Sequence, residues 1–149
     1  MRLNLNCVRS VLLAVEENTG LHKPCYFVDF ELNEELFSIG GQIEPQAFQD
    51  ELHKLYENEE LMYHVHYCVS AGLLVRMKGT PDYQVFISDL TPKGHSFIES
   101  IRDDKVWNHI LKILAKAGSK TLEAAIQIAP AVALEVAKLY MASNGLPMR

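Results

Sequence analysis

The chain has 149 residues, of which 48% are hydrophobic and 22% are charged. This composition excludes low-complexity disorder and a fibrous repeat, and the length suits one globular domain with a sizeable core. The formal net charge of −5 argues against a general nucleic-acid binder, because the phosphate backbone attracts basic surfaces.

The N-terminal region predicts one helix and one strand. After the candidate N-cap Asn4, apolar residues recur at helical spacing as far as the stop signal Asn18-Thr19-Gly20. Between residues 21 and 43 the pattern changes, and residues 26–30 have the composition of a short strand. Gly40-Gly41 marks a loop. We therefore expect a first helix followed by a connector that carries one edge strand.

The next part of the chain predicts two helices joined by a tight turn. Glu44-Pro45 can open the first of these, with Phe48, Leu52 and Leu55 on its apolar face. A break near residues 57–58 precedes the other, which ends at Ala71-Gly72. The apolar side of this third predicted helix consists of Leu61, Val65, Cys68 and Val69. A helix-turn-helix is expected.

A hairpin and another helix follow. Residues 73–78 and 83–90 are rich in strand formers, and residues 79–82 supply turn-forming side chains. Thr91 is then a good N-cap, with Pro92 at the first helical position. A helix-turn-helix followed by a hairpin is the order of a winged helix. The sequence therefore predicts a mainly α (α+β) fold, with a winged-helix domain over residues 1–102.

Residues 103–149 predict a helical tail. Asp103 or Asp104 can cap a helix that carries Trp107 and ends at Gly118, and a last helix covers about residues 121–142. Small side chains recur every four residues in the last helix, at Ala125, Ala129, Ala133 and Ala137.

Such a row lets another helix approach closely. Docking on the same domain, a homodimer interface and contact with a membrane surface are the three uses that it permits, and a homodimer is favoured. No membrane partner is expected, because Lys138 is the only basic residue of this helix.

Two segments resemble known proteins. Residues 63–74, Tyr-His-Val-His-Tyr-Cys-Val-Ser-Ala-Gly-Leu-Leu, resemble the recognition helix and first wing strand of many winged-helix proteins. Residues 89–98, Asp-Leu-Thr-Pro-Lys-Gly-His-Ser-Phe-Ile, together with residues 101–104 and Trp107, resemble the bacterial and prophage family called domain of unknown function 2513. This resemblance covers about residues 4–107. It implies a winged-helix fold and a cytoplasmic, often mobile-element setting, and it brings no established activity.

The outward side of the third helix is the expected binding surface, because a winged-helix protein inserts this side into the DNA major groove. It consists of Met62, Tyr63, His66 and Tyr67. None of these is basic, and Glu59 and Glu60 at the helix start would repel phosphates. The basic residues that can grip a backbone are Arg76, Lys78 and Lys93.

Two functions follow from this surface. The first is a homodimeric regulator that binds DNA, with the aromatic and histidine side chains on base edges and the basic residues on the backbone. The alternative is an adaptor of a prophage or defence system that binds a protein partner through the same acidic surface.

Neither an enzyme nor a metal or cofactor site is expected. His64 and Cys68 share a helix face but His66 points elsewhere, so we expect a packed thiol and partly exposed histidines. No thiol or hydroxyl is spaced with a base for nucleophilic catalysis. Three widely separated cysteines without a signal peptide favour the cytoplasm.

Overall fold

A computed structural model of the chain describes residues 1–37 and 41–143. Gly40, one of the two glycines of the predicted loop, lies outside the described residues. The chain divides into two compact units, one from Met1 to His95 and one that starts at Ser96. The elements are α1 (Leu5–Asn18), β1 (Cys25–Val28), α2 (Phe30–Phe37), α3 (Ala47–Leu52), α4 (Asn58–Ser70), β2 (Leu74–Arg76), β3 (Gln84–Leu90), α5 (Pro92–Ile101), α6 (Asp104–Ala117) and α7 (Leu122–Ser143).

The described residues are mainly helical and include a three-stranded antiparallel sheet with the strand order β1-β3-β2. The predicted α+β class is therefore confirmed. β1 lies at an edge of the sheet, as the sequence predicted, and β2 and β3 form the predicted hairpin. The boundary between the units falls within α5, a few residues before the domain boundary expected after residue 102.

The core of the first unit lies between the sheet and α1. Asn4 caps α1, because its side-chain oxygen accepts a hydrogen bond from the Cys7 amide at 3.2 Å. α1 packs against α3, α4 and β3. On the buried face of the sheet, Cys25 lies opposite Ile87 and Phe27 lies opposite Val85. All four side chains have no exposed surface, so they fix the register of β1 on β3.

Two glutamine side chains cover the outer edge of β1. The Gln46 Oε1 atom accepts a hydrogen bond from the Tyr26 amide at 2.8 Å. Gln49 accepts from the Val28 amide through Oε1 at 2.8 Å and donates to the Val28 carbonyl through Nε2 at 2.7 Å. The Gln49 amide therefore pairs with the strand as a neighbouring strand would.

The segment around α3 differs from the prediction. The helix begins at Ala47, because Gln46 has an extended backbone and its side chain is bonded to β1. It ends at Leu52, so Leu55 lies outside it and is 71% exposed. Tyr56 fills the buried position instead, and its hydroxyl lies 3.1 Å from the Ser10 Oγ atom.

In the second unit, α6 packs against α7. Asp103 caps α6 at its start, and Gly118 ends it in the left-handed conformation, with φ of 72°. Trp107, Ile110 and Leu114 form the buried side of α6. The short connection between the helices makes them antiparallel neighbours.

Candidate functional site

Hydrogen bonds fix both ends of α4. At its start, the Asn58 side chain accepts from the Phe30 amide at 2.8 Å and donates to the Asp29 carboxylate at 3.1 Å. At its end, Gly72 takes the left-handed conformation, and the Leu73 amide donates to the Cys68 carbonyl at 2.9 Å. These contacts set the direction in which α4 presents its side chains.

The inner face of α4 is wider than the sequence predicted. The prediction that Met62 faces outward is wrong, because its side chain is only 3% exposed. His64, expected to be partly exposed, is completely buried. Its Nε2 atom accepts a hydrogen bond from the Asn4 amide at 2.8 Å, and its Nδ1 atom lies 2.7 Å from the Glu60 carbonyl oxygen. α4 packs against both α1 and β2, and two neighbours bury a broader arc than one does.

The outer face of α4 carries three of the predicted binding residues. Tyr63 is 38% exposed, while His66 and Tyr67 are half-buried. The rings of Tyr63 and Tyr67 are one helical turn apart, with centroids separated by 6.1 Å. Glu59 is exposed at the start of the helix. This face therefore has an aromatic ridge, a histidine beside it and a carboxylate at one end.

The hairpin next to α4 holds its arginine in an internal ion pair. The Arg76 Nη2 atom donates to the Asp82 carboxylate at 2.8 Å and to the Thr80 carbonyl at 3.0 Å. The hydrogen bond from Arg76 lowers the pKa of Asp82, and the charges of Arg76 and His66 act in the same direction. His66 therefore lies within electrostatic reach of the hairpin. Asp82 was identified from the sequence only as a turn residue and not as the partner of Arg76.

The other two predicted basic residues lie at different places around α4. Lys78 is exposed at the hairpin turn. Lys93, in the first turn of α5, is exposed, and its Nζ atom lies 3.4 Å from the Ala71 carbonyl at the end of α4. The carbonyl groups at the C-terminal end of a helix carry partial negative charge, which attracts the Lys93 ammonium group. The candidate surface is thus the outer face of α4, flanked by the hairpin and by the start of α5.

The alanine row of α7 does not form one exposed surface. Ala125 and Ala129 are fully buried, Ala133 is half-buried and Ala137 is exposed. The first two belong to the buried side of α7, and α7 packs against α6. The prediction that this row forms a dimer interface is therefore wrong for Ala125 and Ala129, because their small side chains are buried within the unit.

Three further features of the described residues bear on possible sites. Within residues 1–37 and 41–143, no cluster of three or more His, Cys, Asp or Glu side chains could hold a metal ion. The second unit has a groove of about 740 Å³ between the start of α6 and the end of α7, bordered by Val106, His109 and Tyr140. α7 is also long and apolar enough to cross a membrane by length and composition, which is weak evidence by itself.

Comparison with known proteins gives a family. No solved structure matches the chain. An uncharacterized protein of Haemophilus influenzae is 24% identical over 135 residues, which cover 89% of this chain and 95% of that protein. The model of the family described as "Hypothetical protein (DUF2513)" matches residues 2–120. The chain belongs to this DUF2513 family.

Proposed function

We propose that the first unit is a winged-helix domain. The proposal is supported by the order of its elements, since α1, β1, α3, α4, β2 and β3 follow one another as in that fold. The strand order β1-β3-β2 gives the same support, because it places β3, the second strand of the hairpin, between β1 and β2. α2 is an insertion between β1 and α3 in this description.

The proposed function is non-catalytic binding of a protein partner by α4 and the adjoining hairpin, as an adaptor of a prophage or defence system in the bacterial cytoplasm. One observation carries the choice of a protein: the outer face of α4 presents aromatic side chains, and Arg76 beside it is neutralised by Asp82. DNA binding needs cations that displace counterions from phosphates. A pair of tyrosines whose neighbouring arginine is already neutralised suits the core of a protein interface.

A DNA-binding regulator is the second candidate. Its support is the position of Lys78 at the hairpin turn and Lys93 at the end of α4, on two sides of the helix. With Arg76, they would contact the backbone, while Tyr63, His66 and Tyr67 contact base edges.

The two candidates are separated first by fluorescence anisotropy of a labelled random duplex, titrated with the full chain at low and moderate salt. We expect no binding at either salt concentration. Salt-sensitive binding that is lost when Arg76 and Lys78 are both replaced by alanine would contradict the adaptor proposal and support the regulator.

The protein partner is tested by affinity purification from extracts of the native host. We expect a protein that is recovered with the natural chain and lost with the double variant Tyr63→Ala, Tyr67→Ala. Tyr140→Ala, on α7 in the other unit, is the matched control and should keep the partner. Equal recovery by the natural chain and the double variant would show that α4 is not the binding surface.

A further inference from the structure

The second half of α7 has an exposed face that differs from the alanine row. This face consists of Ala131, Leu134, Glu135, Lys138, Leu139 and Ala142. All six residues are exposed, and Leu134 and Leu139 are 57% and 64% exposed. Each of these residues has another member of the set three or four residues away, and residues at this spacing lie on the same side of a helix, so the six form one stripe. We call this stripe the distal face of α7.

The distal face lies on a different side of α7 from its buried residues. The buried residues of α7, which are Leu122, Ala125, Ala129 and Val132, centre on another side of the helix axis, and most of them precede the distal face along the chain. α7 is also longer than α6 by about two turns, so its last turns extend beyond the start of an antiparallel α6. Leu134 and Leu139 give the distal face an apolar part that a second helix can cover.

The order of residues along the distal face is complementary to itself in the antiparallel direction. If α7 of a second copy is turned end for end and centred between Val136 and Ala137, Glu135 of each copy lies opposite Lys138 of the other, near the middle of the stripe. Ala131 lies opposite Ala142 farther from the centre, and Leu134 and Leu139 line the two edges of the stripe. A two-fold axis repeats each contact, so two ion pairs lie next to the axis with leucines on both sides of them.

The charges of the distal face support a second copy as the occupant. Glu135 and Lys138 are the charged residues of α7 after Pro130, and both are exposed. Within the described part of the chain neither has an ion-pair partner, although they are three residues apart on one helix. In the antiparallel pair each would face the opposite charge.

We propose that the distal face of α7 pairs antiparallel with the same face of a second copy of this chain, with Glu135 of each copy opposite Lys138 of the other. The proposal is independent of what α4 binds, because it rests on the second unit alone. A single pair of short helices is a small interface, so the dimer is expected to be reversible and to depend on concentration.

The test is sedimentation velocity of the full chain over a range of concentrations. The natural chain should form a dimer. Glu135→Lys and Lys138→Glu should each weaken it by about tenfold or more, because each puts like charges opposite one another twice. Lys112→Glu, an exposed charge reversal on α6, is the matched control and should leave dimerisation unchanged. Circular dichroism establishes that each variant is folded.

The charge reversals can be combined to test that opposite charges at residues 135 and 138 hold the two copies together. The double variant Glu135→Lys, Lys138→Glu should dimerise like the natural chain. An equimolar mixture of the two single variants should form a heterodimer, because one copy then carries two lysines and the other two glutamates. High salt should reduce these differences, since exposed ion pairs are screened.

Three results would overturn the proposal. They are a natural chain that stays monomeric, dimerisation that neither single charge reversal weakens, and single variants that fail to associate when mixed. Vesicles of zwitterionic and anionic lipid test the other occupant. A monomeric chain that co-sediments with vesicles would assign the apolar surface of α7 to a membrane instead.

Discussion

His64 uses both ring nitrogens inside the first unit. Since Nε2 accepts from the Asn4 amide, the ring proton must lie on Nδ1, from which it is donated to the Glu60 carbonyl. The neutral imidazole thus connects the N-terminus of α1 to α4. His66, two residues later, is half-buried on the outer face of α4 and has no such role.

This difference predicts unequal effects of the same substitution at two neighbouring histidines. His64→Leu leaves the Asn4 amide without its acceptor and should lower the free energy of unfolding by about 1–3 kcal/mol. His66→Leu, on a half-buried position, should change it by about 0.5 kcal/mol or less. Urea denaturation followed by circular dichroism measures both. Equal effects would mean that the Asn4 contact contributes nothing to stability.

Substitution of Gln49 should destabilise the protein more than substitution of His64, because the Gln49 side-chain amide forms hydrogen bonds with two backbone groups of β1. Its Nε2 atom also lies 3.2 Å from the His53 Nε2 atom, so the nitrogen end of the amide has two acceptors. Gln49→Glu keeps the shape but places an oxygen against the Val28 carbonyl. We expect a loss of about 3 kcal/mol or more in the free energy of unfolding.

The matched control for this change is Gln127→Glu on the exposed side of α7, for which a change of about 0.5 kcal/mol or less is expected. Denaturation in urea compares the two variants. A Gln49→Glu protein as stable as the control would contradict the pairing of Gln49 with β1.

For individual residues, the sequence predicted which side of α4 is buried but not how wide the buried side is. A single apolar stripe accounts for Leu61, Val65 and Cys68. Burial of Met62 and His64 requires knowing that α1 and β2 lie on two sides of the helix. Periodicity within one segment does not contain that information.

Among the elements, α5 approaches the backbone between α4 and β2 closely at Gly94. A Cβ atom on Gly94 would overlap the Leu73 carbonyl oxygen, which belongs to the backbone and cannot rotate away. The Gly94 amide also donates to the Thr91 hydroxyl at 3.0 Å, so the first turn of α5 is fixed in place. Glycine is required here because it has no side chain, not because of its φ angle.

Gly94→Ala should therefore lower the free energy of unfolding by about 1–3 kcal/mol, the usual effect of overpacking. Gly20→Ala is the matched control, since a Cβ atom there meets only the Lys23 side chain at 3.8 Å. Thermal unfolding by circular dichroism compares the variants. If Gly94→Ala were as stable as Gly20→Ala, α5 would have to sit farther from Leu73 than the structure shows.

The elements that the sequence predicted are those whose signals are local. α1, α4, α5 and α6 combine a periodic apolar face with a cap or stop residue of their own. α2 was not predicted, because part of its start is held from a distance: Asn58 binds the Phe30 amide and the Asp29 carboxylate that caps α2. A contact across 28 residues leaves no mark in the local pattern.

At the scale of the whole molecule, all three thiols lie inside the first unit. Cys7, Cys25 and Cys68 are free and have no exposed surface. Burial raises the pKa of Cys7 and of Cys25 to about 12, and it raises the pKa of Cys68 as well. A raised pKa lowers the thiolate fraction, and the thiolate is the reactive form.

We therefore expect the native protein to be inert to a thiol-specific disulfide reagent at pH 8, and all three thiols to react in guanidinium chloride. The absorbance of the released thiolate measures the reaction, and a free cysteine solution is the reference. Rapid reaction of even one thiol in the native protein would contradict the burial of that residue.

The ion pair between Arg76 and Asp82 has a consequence for how this family can diverge. Asp82 lies in the hairpin turn and is exposed, so an asparagine there would fit without repacking. That one replacement would remove the carboxylate and leave Arg76 bonded to the Thr80 carbonyl, with its charge no longer balanced. Natural selection could therefore change the ligand preference of this surface through a turn residue, while α4 and its aromatic ridge stay as they are.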